Sequence, residues 1–164
     1  MEKIDIRRVG YLDPDARVLV AAALDDLRGR YGDGDGDATP IDPADFEPPR
    51  GAFLVAYLDG EPVASGAWRG RGADGTTAEI KRMYTAPAAR GRGIARAVLA
   101  GVERSAREHG RSRIVLETGD RQPEAIQLYL SAGYSRIADF GFYKDEPGVR
   151  SFGKELPAHR GADT

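Results

Sequence analysis

The chain has 164 residues and a mass of 17.7 kDa, the size of one domain, and is long enough to bury roughly 70% of its unfolded surface. Its 24 Lys and Arg against 26 Asp and Glu leave a formal charge of −2, which removes any polycation argument for binding nucleic acid or an anionic membrane. Cysteine is absent and His109 and His159 are the only histidines, so the sequence can build no disulfide framework, thiolate nucleophile or His-rich metal site.

The first residues, MEKIDIRRVG, have no apolar leader segment, and no window nears the roughly 20 apolar residues of a transmembrane helix. A soluble cytoplasmic protein is expected. Ile4 to Val9 alternates as a short strand. Asp13 and Pro14 then open a helix whose Val18, Leu19, Ala22, Ala23 and Leu27 share one face, ending near Gly29. Gly32 to Pro49 is rich in Gly, Asp and Pro and reads as a mobile loop. Within it, Asp33 to Asp37 begins like a calcium loop, but Ala38 and Ala44 stand where the turn glycine and bidentate glutamate belong. An acidic loop that could attract a cationic amine is the remaining reading.

Phe53–Tyr57 and Val63–Trp68 flank Asp59-Gly60, a hairpin signal, because the turn demands the positive φ that glycine accepts. Arg69 to Thr76 is a glycine-rich turn, Ala78 to Tyr84 a strand stopped by Pro87, and Ile94 to His109-Gly110 an amphipathic helix. Arg113–Thr118 reads as a buried strand, Gln122–Ala132 as a helix with Pro123 first, and Tyr134–Ala138 and Arg150–Glu155 as strands. Trp68 is expected in the core and His109 at a helix C-terminus, near the negative end of its dipole. The order predicts an α/β (α+β) fold: one mixed, mostly antiparallel sheet of six to seven strands with about four helices. Residues 1–156 would form this single domain and 157–164 a flexible tail.

The chemistry concentrates between Glu79 and Ala95. A strand ends at Pro87, a loop carries Arg90, Gly91, Arg92 and Gly93, and a helix begins at Ile94. Glycines without Cβ atoms let backbone N–H groups approach an anion, the helix N-terminus adds its positive end, and Arg90, Arg92 and Arg96 add full charges. A phosphate or pyrophosphate is the ligand such a loop suits. The P-loop pattern fails for want of Lys-Ser/Thr, and the dinucleotide pattern fails because position 96 is Arg.

Arg90-Gly91-Arg92-Gly93-Ile94-Ala95 matches the R/Q-x-x-G-x-G/A loop of the GCN5-related N-acetyltransferases (GNATs), and the chain resembles that family as far as about Leu156. Glu79–Pro87 looks like its fourth strand, Leu116–Gly119 like the end of its fifth, and Gln122–Tyr134 like its N-x-x-A-x-x-L-Y-x-x-x-G-F/Y motif, with Gln122 in place of the usual Asn. The resemblance implies the GNAT acyl-CoA N-acyltransferase fold and acetyl-CoA as co-substrate, held by Met83, Tyr84, Thr85, Arg90, Gly91, Arg92, Gly93, Ile94, Ala95 and Gln122, with no metal. It implies acetyl transfer to an amine of a small molecule or peptide by direct attack, which the missing thiol agrees with.

Glu79 is then the candidate general base and Tyr129 the candidate acid near the sulfur, with a backbone N–H of Met83 or Tyr84 for the oxyanion. The bland alternatives are a solvated or ion-paired Glu79, paired with Lys81 or Arg82, and a Tyr129 packed into the core with its hydroxyl satisfied. Two other function classes compete: an acyl-CoA-sensing module without turnover, and nucleic-acid binding through the arginines of Arg90–Arg113. Retention of both an acid and a base weighs against the sensor. The charge balance and the lack of interleaved aromatics weigh against nucleic acid. The oligomeric state stays open, a homodimer included.

Overall fold

A computed structural model describes residues 3–32, 34 and 36–158. Seven strands form one sheet: β1 (Ile4–Val9), β2 (Gly51–Leu58), β3 (Glu61–Arg71), β4 (Thr77–Thr85), β5 (Arg113–Gly119), β6 (Ser135–Arg136) and β7 (Val149–Glu155). Their spatial order is β1-β2-β3-β4-β5-β7-β6, and only β4 and β5 run parallel. The helices are α1 (Pro14–Tyr31), α2 (Ile94–Glu108) and α3 (Pro123–Ser131).

About four helices are expected from the sequence; the described residues hold these three and two 3-10 turns, Pro43–Phe46 and Pro87–Ala89. Pro40, Pro43, Pro48 and Pro49 supply no backbone N–H, so the segment between α1 and β2 manages a single helical turn. That segment is nevertheless anchored from Asp37 onward, contrary to the mobile loop expected: Thr39 is buried and Phe46 is fully enclosed. The C-terminal tail from His159 lies outside the described residues.

Local chemistry sets the ends of the elements. The Asp13 carboxylate accepts from the Asp15 N–H at 2.9 Å and caps α1, with Pro14 in its first turn. Asp59 (φ 51°) and Gly60 (φ 89°) make the tight turn between β2 and β3. Alternation along β2 sorts its side chains cleanly. Ala52, Leu54 and Ala56 pack into the core beneath α2 and α3, while Phe53, Val55 and Tyr57 pack into the core that includes Ala16 and Leu19 of α1. Trp68 is fully buried and donates its indole N–H to Ser105 Oγ at 2.9 Å, tying β3 to α2.

Two irregularities open the sheet at one end. Across β3 and β4 the register shifts between Ser65 and Ala67, so that Arg82 and Met83 together face Gly66; Arg82 takes φ 61° and its carbonyl accepts from Ser65 Oγ at 2.7 Å. Between β4 and β5, pairing covers only Thr77–Glu79 against Arg113–Val115, and beyond Glu79 the strands part.

Gly66 sits beneath the bulge, where an added Cβ would lie 2.5 Å from Met83 Sδ and 2.7 Å from Val98 Cγ1. Gly66→Ala should therefore cost about 1–3 kcal/mol through overpacking, read as a lower urea midpoint at unchanged slope.

Candidate active site

The gap between β4 and β5 is a cavity of about 950 Å³, within the range of ligand sites. Ile80, Met83, Leu116 and Tyr129 line it from the side of α2 and α3; Lys81 and Glu117, their neighbours along the strands, line it from the opposite face together with Asp37 and Tyr143. The cavity thus runs through the sheet rather than along one face.

At one mouth lies the glycine–arginine loop. Gly91 and Gly93 take φ 78° and 77°, left-handed values that glycine adopts without strain. Gly93 is the N-cap of α2 and offers no side-chain cap, and the first turn holds no acidic residue, so the N–H groups there remain available to an anion. Arg90 donates from Nε to the Thr85 carbonyl at 3.0 Å and stands 3.9 Å from Asp26 of α1. Arg96 bonds Ser131 Oγ on α3. Gln122 is the N-cap residue of α3 and donates from Nε2 to Tyr31 Oη at 3.3 Å, which joins the end of α1 to the same mouth. Arg30 strengthens that join: it pairs with Asp26 and Glu124, and it exchanges guanidinium-to-carbonyl bonds with Arg121. Gly91, Gly93, Ile94, Ala95, Arg90 and Gln122 all line the cavity, as do Met83, Tyr84 and Thr85 from β4. Arg92 is exposed at the loop and does not line it.

Tyr129 is 4% exposed, in edge contact with Tyr134 at 5.5 Å, and burial alone raises the pKa of its phenol well above the usual value. A phenol in that state stays protonated and has an O–H to donate. Glu79 is placed differently from the expectation. Its side chain is 3% exposed and lies against Arg69 (3.3 Å) and Arg71 (3.5 Å), lining a second hollow at the hairpin end of β3 and β4 instead of the cavity that holds Tyr129. The cause is register: Glu79 is the last residue of β4 still paired with β5, directly opposite Arg69 on β3, and so sits at the root of the gap. The ion-paired alternative describes it, with Arg69 and Arg71 as the partners rather than Lys81 or Arg82.

Lys81 and Arg82 instead share one oxygen of Asp37, at 3.1 and 2.9 Å. The other oxygen accepts from the Thr39 N–H and hydroxyl and from the Tyr143 hydroxyl. Burial opposes this carboxylate, yet Lys81 and the donors of Thr39 and Tyr143 hold its pKa far below the ordinary 3.8. The Asp37 charge is in this way neutralised inside the protein rather than offered to a cationic amine, while Asp33 and Asp35 lie outside the described residues. Nothing local in the sequence pairs Asp37 with residues 44 and 45 positions downstream.

The acetyltransferase (GNAT) family model matches residues 16–134. The chain belongs to this family. An IAA acetyltransferase of Azospirillum brasilense is 40% identical over 95 residues, covering 58% of this chain and 61% of that protein, so the match spans about three-fifths of the relative's length. Among solved structures, a Klebsiella pneumoniae protein assigned as an acyl-CoA N-acyltransferase superposes with a TM-score of 0.77 at 28% identity, covering 94% of this chain and 98% of its own. The yncA protein of Salmonella typhimurium, solved with its cofactor acetyl-CoA, shares the fold with a TM-score of 0.68 at 18% identity, with 96% of each chain covered.

Asp37→Asn leaves Lys81 and Arg82 as buried, uncompensated charges and should cost about 3–5 kcal/mol of stability. Because the folded pKa is depressed, the wild type's advantage is complete above the unfolded value near 3.8 and fades as pH falls toward the folded one. Urea titrations of both proteins between pH 7 and 3 should show the two stabilities converging.

Proposed function

We propose that this chain moves the acetyl group of acetyl-CoA to the amine of a small molecule or peptide by direct attack, with both substrates bound at once. The observation that carries the reading is a single continuous cavity that joins an uncapped, arginine-flanked helix N-terminus to a buried tyrosine at the gap in the sheet. The donor set suits the co-substrate: backbone N–H groups at Gly91–Ala95 with Arg90 and Arg92 for pyrophosphate, Gln122 at the same mouth, and the parted edge of Met83–Thr85 for an extended amide chain. Residues 1–156 act as the catalytic domain in this reading.

The reaction needs three things. A lysine-like amine with a pKa of about 10.4 is neutral in only about one molecule per thousand near pH 7, so a proton must be removed. The oxyanion needs a donor worth roughly 3 kcal/mol, supplied by the N–H of Met83 or Tyr84 beside the bulge. The departing sulfur needs a proton, which the Tyr129 hydroxyl gives. The competing reading, a module that binds acyl-CoA without turning it over, predicts binding with no thiol release over a panel of polyamines, aminoglycosides, amino acids and peptide N-termini. Amine-dependent thiol release supports transfer.

Gly93→Asp puts a carboxylate among the phosphate donors and a Cβ on a left-handed residue. Calorimetric titration should show CoA binding abolished while the circular dichroism spectrum is kept; retained micromolar affinity would remove the loop from the site. Tyr129→Phe should keep acetyl-CoA affinity and lower kcat by about 10²–10⁴.

A further inference from the structure

The reaction proposed above requires a base, and Glu79 does not reach the cavity. Six other carboxylates line it: Asp26, Asp37, Glu117, Asp120, Glu124 and Glu146. Asp26 and Glu124 are tied to Arg30 beside the glycine–arginine loop, away from the acceptor face. Asp37 is saturated by five donors and stays ionised with little affinity for a proton. Asp120 and Glu146 are exposed, and water supports their charge.

Glu117 differs from all of these. It stands on β5 two residues beyond Val115, the last residue paired with β4, and on the same face as Lys81. One carboxylate oxygen, Oε2, accepts from the Tyr143 N–H at 3.0 Å. The other, Oε1, is buried and has no hydrogen-bond donor among the described residues. A buried acceptor left without a donor costs about 1–3 kcal/mol, so the group is incomplete as it stands. The turn above it packs directly onto the carboxyl and holds it in place: any side chain at Gly141 would overlap Glu117.

Resting on the acetyl-transfer reading, we infer that Glu117 is the general base: its carboxylate, where it faces the cavity, receives the acceptor ammonium and takes its proton. The charged groups around it are Glu79 and Lys81 on β4, Arg71 on β3, and Asp37 behind the Tyr143 hydroxyl. Burial and the neighbouring Glu79 raise its pKa above the ordinary 4.5, against the pull of the Tyr143 N–H, Lys81 and Arg71. A raised value brings the carboxylate closer to the amine it must deprotonate.

The step balances as follows. One ammonium proton passes to Glu117, and the freed nitrogen lone pair forms the C–N bond while the carbonyl π pair moves onto oxygen. As that pair returns, the C–S bond breaks and sulfur leaves with its electrons, taking the Tyr129 proton. The second nitrogen proton restores Tyr129, and Glu117 releases its proton to water. The sum is ammonium plus thioester to amide, thiol and one proton.

Glu117→Gln keeps the shape and the bond from Tyr143 but accepts no proton. Calorimetry should give an unchanged CoA dissociation constant, and kcat should fall about 10²–10⁴-fold with a basic alkylamine. The loss should shrink toward unity with trifluoroethylamine, whose fluorines weaken the ammonium's hold on its proton; a merely structural role would not discriminate between the two acceptors. Glu79→Gln should lower stability and leave in place the rise of kcat/KM with pH, the ascending limb that the base sets. Carbon-13 NMR of side-chain carboxyls reads the contact directly and needs no turnover. With CoA bound, saturating butylammonium should shift the Glu117 signal and not that of Glu79. An unshifted Glu117 signal, or an active Glu117→Gln enzyme that keeps its limb, would overturn the assignment. A wild type that binds CoA and releases no thiol with any amine, while the Glu117 signal still responds to butylammonium, would overturn acetyl transfer and leave the ammonium contact standing.

Discussion

Among the described residues three pairs hold the only parallel contact in the sheet, and the end of that contact decides the rest of the molecule. Past Glu79 and Val115, β4 and β5 no longer bond each other, yet each stays bonded on its far side, to β3 and β7. The inner edges therefore present backbone donors and acceptors to a cavity, and such groups are costly unless something pairs them. A gap of this kind persists only because the outer pairings are long and both faces of the sheet are covered by packed side chains.

Around the gap, charge is handled by small hubs, each a carboxylate shared by two cations. Glu79 gathers Arg69 and Arg71, and Asp37 gathers Lys81 and Arg82. Asp26 gathers Arg30 and Arg90. The buried pairs at Glu79 and Asp37 add little net stability over apolar residues, but they fix geometry, because misplacing one member strands the others. The hubs differ in what they fix. Glu79 seals the root of the gap, Asp37 pins the segment before β2 across the face of the cavity lined by Lys81 and Glu117, and Asp26 joins α1 to the glycine–arginine loop. The near-neutral composition conceals a site in which most charge is already matched.

The readability of the sequence followed the range of the interactions. The loop at Arg90–Ala95 was plain because its glycines, its arginines and the start of α2 are contiguous, and the turn at Asp59-Gly60 was plain for the same reason. Hydrophobic alternation placed nearly every strand within a few residues, and the capping residues Asp13 and Pro14 located α1. Choosing between Glu79 and Glu117 was beyond it. Both are acidic residues on strands, and they differ only in that one lies inside the parallel pairing and the other beyond its end, a fact about register between segments more than thirty residues apart. Asp37 is illegible for the same reason, since an Asp among glycines looks solvated until distant Lys81, Arg82 and Tyr143 converge on it. Gly141 carried no signal at all, because its need for a missing side chain exists only against Glu117.

A passage that crosses the sheet has two mouths. In an enzyme working as proposed, the nucleotide end of the co-substrate fills one, and the other stays open to solvent whenever no acceptor is present. Water can then approach the thioester from the side reserved for the amine, with a base already in place to activate it. In such an enzyme the rim formed by Asp37 and Tyr143 would thus set more than which amine fits. Its tightness governs how much acetyl-CoA is lost to idle hydrolysis between productive encounters.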